Sequence, residues 1–296
     1  MQRARLRRFR ASSCLEDRRA ARRGRLLKIH VLASGSKGNA IVVEDGEHRL
    51  LVDAGLSARE LERRLKLVGC WPPCRLQGLL LTHEHSDHVR GARLFASRHG
   101  IPVFSTAGTF VGLGEEASAE LGPLWTGISH GLPVTVPGCR IGVVPISVEH
   151  DTRGPVGFVF TSVCGKYRAG VATDMGHAGL VARELAGCHL LVLEFNHDVA
   201  LLKANRKYPR ELKERILGNV GHLSNEQAAQ LLRKIFHIAG EPRLQSLVLA
   251  HLSEQNNTPE LALREARLIL GSCSLDGKVE VKVAGPAEPV TVEIRR

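Results

Sequence analysis

The chain has 296 residues, 43% of them apolar, which suits one large α/β domain or two small ones with a sizeable core. No apolar run approaches the length that crosses a bilayer, which argues against a membrane-spanning protein. The net charge of +11 is unevenly spread: residues 1–26 hold ten arginines against Glu16 and Asp17, a net of +8, and the rest of the chain carries only +3.

Residues 1–26 have few apolar side chains and no period, and read as an Arg-rich disordered tail. Such a segment suits a nucleic-acid-binding arm, a targeting presequence, or a translation start set upstream of the true one. Apolar runs at 26–34, 40–45 and 48–54 then read as strands, with an Asp45–Gly46 hairpin between the last two. Residues 57–69, opened by a Ser and closed by a Gly, have the period of an amphipathic helix. A buried strand follows at 76–82 and a helix at 89–100. The second half repeats the style, with strands at 140–148, 155–162, 167–173, 189–195 and 244–250, and helices near 178–187, 209–217, 224–238 and 258–270. Ser224 and Gln227 form a capping box, and "KVEVKVA" with "VTVEIR" reads as a closing hairpin. No strong Pro/Gly linker separates the halves. Two face-to-face sheets with helices outside, or a single mixed sheet, both satisfy this pattern. The seven scattered cysteines lack zinc-ribbon spacing and read as free thiols in a reducing, cytoplasmic setting.

The stretch "GLLLTHEHSDHVRG" carries the chemistry. A buried strand ends at Leu81, and His83, Glu84, His85, Asp87 and His88 follow in the loop behind it. Loops at strand ends are where α/β folds place their chemistry. In an extended segment His83 and His85 point to the same side, while Asp87 and His88 fall where a helix begins and address a second position. Mixed imidazole and carboxylate ligands suit Zn²⁺, Mn²⁺ or Fe. One loop cannot complete two coordination spheres. His150, Asp174 and His251 each end an apolar run and form a consistent set of further ligands.

"THEHSDH" resembles the H-x-H-x-D-H signature of metallo-β-lactamase fold hydrolases, and "LLVDAG" resembles that superfamily's first motif. The blocks "LASGSKGNA", "VEHDTRGPVGF", "ATDMGH", "LEFNHD", "RILGNVGHLSNEQAA" and "LAHLSEQNN" are similar to its WalJ/YycJ-type exonuclease-like branch. The resemblance covers about residues 27–270 and implies a hydrolase domain over 27–296 with the four-layer αββα sandwich. It implies two divalent metal ions, zinc or manganese. His83, His85 and His150 would hold one, Asp87, His88 and His251 the other, and Asp174 would bridge them, with Asp53 buttressing the metal loop. The branch commonly reads T-D-T-G-Y around the bridging aspartate, where this chain has Thr173-Asp174-Met175-Gly176-His177.

Two metals activate water near neutral pH and offset charge on a phosphodiester. Asp87 and Asp174 are the catalytic carboxylates of this reading, and His222 is the candidate donor to the leaving alkoxide. His222 precedes a capped helix start, where free N–H groups favour an anion and Ser224 and Asn225 add donors. The same block resembles the phosphate-binding Gly-His motif of the related β-CASP nucleases. Lys203, Arg206, Lys207, Arg210, Lys213 and Arg215 form a basic run next to it, a track for a nucleic-acid backbone, with Tyr208 a platform for a terminal base. "SGSKGN" is a tight turn between strands or a loop offering Ser36 or Asn39 to substrate. Glu194 and His197 are undecided between support and structure, and His177 reads as incidental. The leading expectation is a phosphodiesterase on nucleic acid, a 5′–3′ DNA exonuclease as the branch implies. Alternatives are hydrolysis of a small ester, lactone, thioester or cyclic phosphodiester, and a nucleic-acid-binding protein with a structural metal.

Overall fold

The computed structural model describes residues 27–179 and 181–294. The Arg-rich tail, with Cys14, lies outside the described residues, as does the side chain of Cys74. Strands β1 (Lys28–Ala33), β2 (Ala40–Asp45), β3 (His48–Val52), β4 (Gly78–Leu80), β5 (Val103–Ser105) and β6 (Trp125–Gly127) lie side by side in chain order. The first three pair antiparallel, and β3 to β6 pair parallel. A second sheet repeats the plan with β7 (Gly142–Ser147), β8 (Val156–Thr161), β9 (Arg168–Ala172), β10 (Leu190–Glu194), β11 (Ser246–Ala250) and β12 (Glu280–Val283). Its first three strands are antiparallel and β9 to β12 parallel. β13 (Val290–Glu293) then returns to the first sheet and pairs antiparallel with β1.

The closing hairpin expected from the sequence does not form. β12 extends the second sheet beside β11, and β13 extends the first beside β1. The chain between them crosses from one sheet to the other, and Ala284 and Val292 lie in the core between the layers.

Strand periodicity explains the layers. Side chains alternate between faces, and here both faces are apolar because both are covered. Ile29, Val43, Leu50, Val52, Phe158, Val192 and Val248 point between the sheets. Their neighbours Leu32, Val42 and Leu51 face outward beneath the helices Ala58–Leu67 and Ala92–His99. Leu191, Leu193, Leu247 and Leu249 pack beneath Asn225–Ala239 and Pro259–Ser272. The result is the four-layer αββα sandwich. Each fully buried Leu or Phe in these layers contributes about 1.5–3 kcal/mol of transfer free energy.

Several helices adjust the sequence reading. The helix expected at 89–100 is two, Ser86–Val89 and Ala92–His99, broken where the Gly91 N–H donates to the Ala54 carbonyl at 2.8 Å. The short helices Ala107–Gly112 and Glu115–Leu121 lie in a region with no clear periodic signal. Parallel strands β3 and β4 in one sheet, and β9 to β11 in the other, all end on one edge of the sandwich. The chemistry gathers there.

Candidate metal centre

Asp53 directly follows β3 and adopts a left-handed backbone, with φ 58°. Its carboxylate accepts the Thr82 N–H at 2.8 Å, the Thr82 hydroxyl at 2.8 Å and the His88 Nδ1–H at 2.7 Å. This fixes the His88 tautomer and turns Nε2 toward the interior, the usual way a carboxylate orients a ligating histidine. The motif residue Gly55 makes this possible. A Cβ there would lie 1.6 Å from the Asp87 carbonyl, so only glycine lets the "LVDAG" segment touch the metal loop.

From the second sheet come His150 beyond β7, Asp174 beyond β9, Glu194 at the end of β10 and His251 beyond β11. Asp174 and His251 also take left-handed backbones, with φ 58° and 56°. Asp tolerates that region better than most residues, yet such positions cost about 1–3 kcal/mol and cluster at functional sites. Gly221 approaches the backbone of Arg215 and Ile216 so closely that a Cβ would lie 2.2 Å from the Arg215 carbonyl. Its own carbonyl accepts the His150 Nδ1–H at 3.1 Å, which leaves His150 Nε2 facing inward.

The imidazoles close into a ring. His83 and His88 have centroids 4.0 Å apart, His88 and His251 5.9 Å, His251 and His222 5.3 Å, His222 and His150 5.2 Å, and His150 and His83 5.2 Å. His85 packs on the rim, 4.9 Å from His83 and 5.0 Å from His150. Asp174 stands inside the ring, 3.1 Å from His88 Nε2, 3.4 Å from His251 Nδ1, 3.6 Å from His222 Nδ1 and 4.0 Å from His150 Nε2. Both triads expected from the sequence are spatial groups, His83–His85–His150 and Asp87–His88–His251, and Asp174 joins His83 and His88 in a third.

The electrostatics depend on which carboxylates each imidazole faces. Burial and neighbouring imidazoles push His83 well below its usual pKa, and burial lowers His150. For His88 burial also acts downward, but Asp174 and Asp53 outweigh it and hold the pKa at about 10. His251 is likewise raised, against burial, by Asp174, Asp87 and Glu194. The cluster fits cations. His83 Nε2 is buried without a partner, and Asp174 Oδ2 accepts no well-formed hydrogen bond. Desolvated groups left so cost about 1–3 kcal/mol each, which a divalent ion would recover. The donor set suits zinc or manganese.

Glu194 belongs to the site. Fully buried, it accepts the His222 Nδ1–H at 2.8 Å, lies 3.3 Å from His251 Nδ1, and accepts the Met175 and Leu223 N–H groups. These contacts hold its pKa down at about 2 despite burial. It carries the same signal as Asp174, a chelating residue ending an apolar strand. Asp151, not singled out from the sequence, lies 3.3 Å from His150 Nε2 and ion-pairs with Arg215. Next to the ring, Ser36, Tyr208, Arg215, His222, Leu252 and Ser253 line a cleft of about 160 Å³.

Other expected substrate contacts already have partners within the fold. Asn39 is buried, and its amide is spent on Gly35, Asp87 and His88. Ser224 is buried and caps its helix by accepting the Gln227 N–H, while its own N–H donates to the Gln227 side chain. Asn225 exchanges hydrogen bonds with Asn257, and its N–H donates to His197. That helix start is therefore a joint of the scaffold, with its first donors already used. Lys213 donates to the Lys203 carbonyl and does not line the cleft. His177 is exposed, 4.0 Å from Glu149.

An αββα sandwich with imidazoles and carboxylates gathered at its strand ends defines a metal-dependent hydrolase. The chain belongs to the metallo-β-lactamase superfamily: the model of the "Beta-lactamase superfamily domain" matches residues 48–239. It is 33% identical over 264 residues to the exodeoxyribonuclease WalJ of Streptococcus pneumoniae serotype 2 (strain D39 / NCTC 7466), covering 86% of this chain and 93% of that protein. It is 34% identical over 245 residues to the exodeoxyribonuclease YycJ of Bacillus anthracis, covering 82% and 89%. Among solved structures, the metallo-β-lactamase fold protein YhfI from Bacillus subtilis shares the fold with a TM-score of 0.62 at 18% identity, over 90% of this chain and 100% of that one. No helix among the described residues is long and apolar enough to cross a membrane.

Proposed function

We propose that this chain is a dinuclear-metal phosphodiesterase acting on nucleic acid, a cytoplasmic 5′–3′ DNA exonuclease whose catalytic domain spans residues 27–296. The observation that carries the reading is the closed imidazole ring around Asp174, with the unpartnered His83 Nε2 inside it. In this reading His83, His85 and His150 would hold one zinc or manganese ion, Asp87, His88 and His251 would hold the other, and Asp174 would serve both. The ions would activate water and offset charge on a phosphodiester.

The chain's own groups supply the rest. Asp87, 3.5 Å from His251 and 3.6 Å from His88, orients the attacking water. Glu194 holds the His222 Nδ1–H, so His222 Nε2 is the atom turned to the cleft. Burial opposes the charge on His222, but Glu194 and Asp174 raise its pKa, which keeps a proton available for the leaving alkoxide. Arg215 and Ser36 offer cationic and hydroxyl contacts to phosphate, and Tyr208 a face for a terminal base. The two exodeoxyribonuclease relatives support DNA as substrate and an exonucleolytic outcome. The small volume of the cleft favours a second reading, hydrolysis of a small ester, lactone, thioester or cyclic phosphodiester.

The test uses purified protein with Mn²⁺ and, separately, Zn²⁺, on 5′-labelled and 3′-labelled duplex DNA beside an Asp174→Ala control. Stepwise, Asp174-dependent release from the 5′ end is the expected result. No cleavage of DNA or of RNA run in parallel, with metal bound, would move the assignment to a small substrate.

A further inference from the structure

A second group of ligand atoms lies away from the imidazole ring. His30 on β1, Glu44 on β2 and Cys70 beyond the helix Ala58–Leu67 bring an imidazole nitrogen, a carboxylate oxygen and a thiol sulfur within 4.8 Å of one another. They sit on the helix-covered face of the first sheet, where Cys70 packs with Val42, the residue paired with His30 across the β1–β2 ladder. Glu44 and Arg49 mark the end of the sheet away from Asp53. Four residue steps along the strand separate Arg49 from Asp53, about 13 Å.

We propose that His30, Glu44 and Cys70 form an additional site for a thiophilic divalent cation such as zinc, separate from the centre at the strand ends. His30 Nε2 is buried and has no hydrogen-bond partner, while Nδ1 lies 2.9 Å from the Thr291 hydroxyl. When Nδ1 carries the proton, donated to Thr291, Nε2 keeps a lone pair with no proton to accept. Cys70 is fully buried, with its sulfur 3.6 Å from Glu44 Oε2. The Cys70 backbone is pinned by its N–H bond to Leu65 at 2.8 Å, so the thiol is presented from a fixed position. Bonds of about 2.0–2.3 Å in a tetrahedron bring ligand atoms to about 3.3–3.8 Å, a small contraction from the observed cluster. Imidazole, thiolate and carboxylate together select zinc over magnesium or calcium.

The surrounding charges are accounted for. Arg49 Nε donates to Glu44 Oε2 at 2.5 Å, and its guanidinium also reaches the Cys70 sulfur, so it must move aside as the cation enters. Lys28 and Glu293, which also act on His30, are paired with each other at 3.2 Å. Without metal, burial and Glu44 push the Cys70 thiol up to about 12, so it stays protonated and donates to Glu44. Uptake therefore breaks the S–H bond, forms the metal–sulfur bond and releases one proton to solvent. Arg49 then balances part of the added thiolate charge.

The experiment titrates the full chain with Co²⁺ and reads near-ultraviolet thiolate-to-cobalt charge transfer, alongside zinc stoichiometry by elemental analysis. The strand-end centre has no thiol, so its filling leaves the band silent. The expected result is a thiolate band with one further equivalent of metal beyond the Asp174 centre. Cys70→Ser and His30→Ala would each lose that equivalent and the band while hydrolysis persists, and Cys74→Ser would keep both. Absence of the band in the folded wild-type chain at saturating Co²⁺ overturns the proposal, as does a band that survives Cys70→Ser.

Discussion

The two sheets are built alike, three antiparallel strands followed by parallel ones, and each places an aspartate with φ 58° after its third strand. Their carboxylates do opposite things. Asp53 is saturated, accepting three hydrogen bonds from Thr82 and His88. Asp174 keeps an oxygen without a well-formed hydrogen bond and faces imidazoles from both sheets. In the second half the saturated role belongs to Glu194, one strand further along. One half therefore braces the His83–His88 loop, and the other carries the open carboxylate. The lesson is that a fold position fixes where a carboxylate points, while its neighbours decide whether it can still bind something.

Paired substitutions test this division. Asparagine keeps the shape and the left-handed backbone at both positions. Asp174→Asn removes the charge shared by the two triads, and the expected loss of hydrolysis is on the order of a thousandfold or more, with loss of bound metal. Asp53→Asn acts one step away. Its amide would donate to His88 Nδ1, move that ring's proton to Nε2, and spoil the ligand without touching the ring itself. The expected loss is about 10–100-fold in metal affinity and rate. Isothermal metal titration and steady-state hydrolysis of both variants check the ranking. Equal losses would mean Asp53 is itself a ligand.

How much of this was legible follows the same line. Residue types that must sit at strand ends to gather cations were visible because each closes an apolar run, as His83, His150, Asp174 and His251 do. Glu194 carries that signal too. What stayed hidden was hydrogen-bond bookkeeping. Asn39, Ser224 and Asn225 have donors suited to a phosphate, yet all three spend them on neighbours up to dozens of residues away, which spacing does not reveal. The final strands show a related limit. Period-two alternation says which face a residue takes but not which sheet its strand joins, so β12 and β13 read as partners and are not.

Two fully buried histidines carry the contrast into pH. His88 is held at about 10 by Asp174 and Asp53 against burial, whereas burial leaves His197 at about 4, its Nε2 without a partner. The unfolded value for both is about 6.5. In metal-free protein the raised His88 contributes stability that is fully present below about 6.5 and is lost as pH rises through about 10. His197 works the other way: the unfolded chain takes a proton that the folded one refuses, so stability falls as pH drops from about 6.5 toward 4, by about 1 kcal/mol per pH unit. Loading metal displaces the His88 proton in advance and removes that part of the alkaline loss, but leaves the His197 share of the acid limb, which adds to those of the other lowered imidazoles such as His83 and His150. Thermal unfolding across pH, with chelator and with metal, reads both limbs. His197→Gln should reduce the acid one. An alkaline limb that is unchanged by metal would show that the raised histidines, His88 and His251, keep their protons and are not ligands.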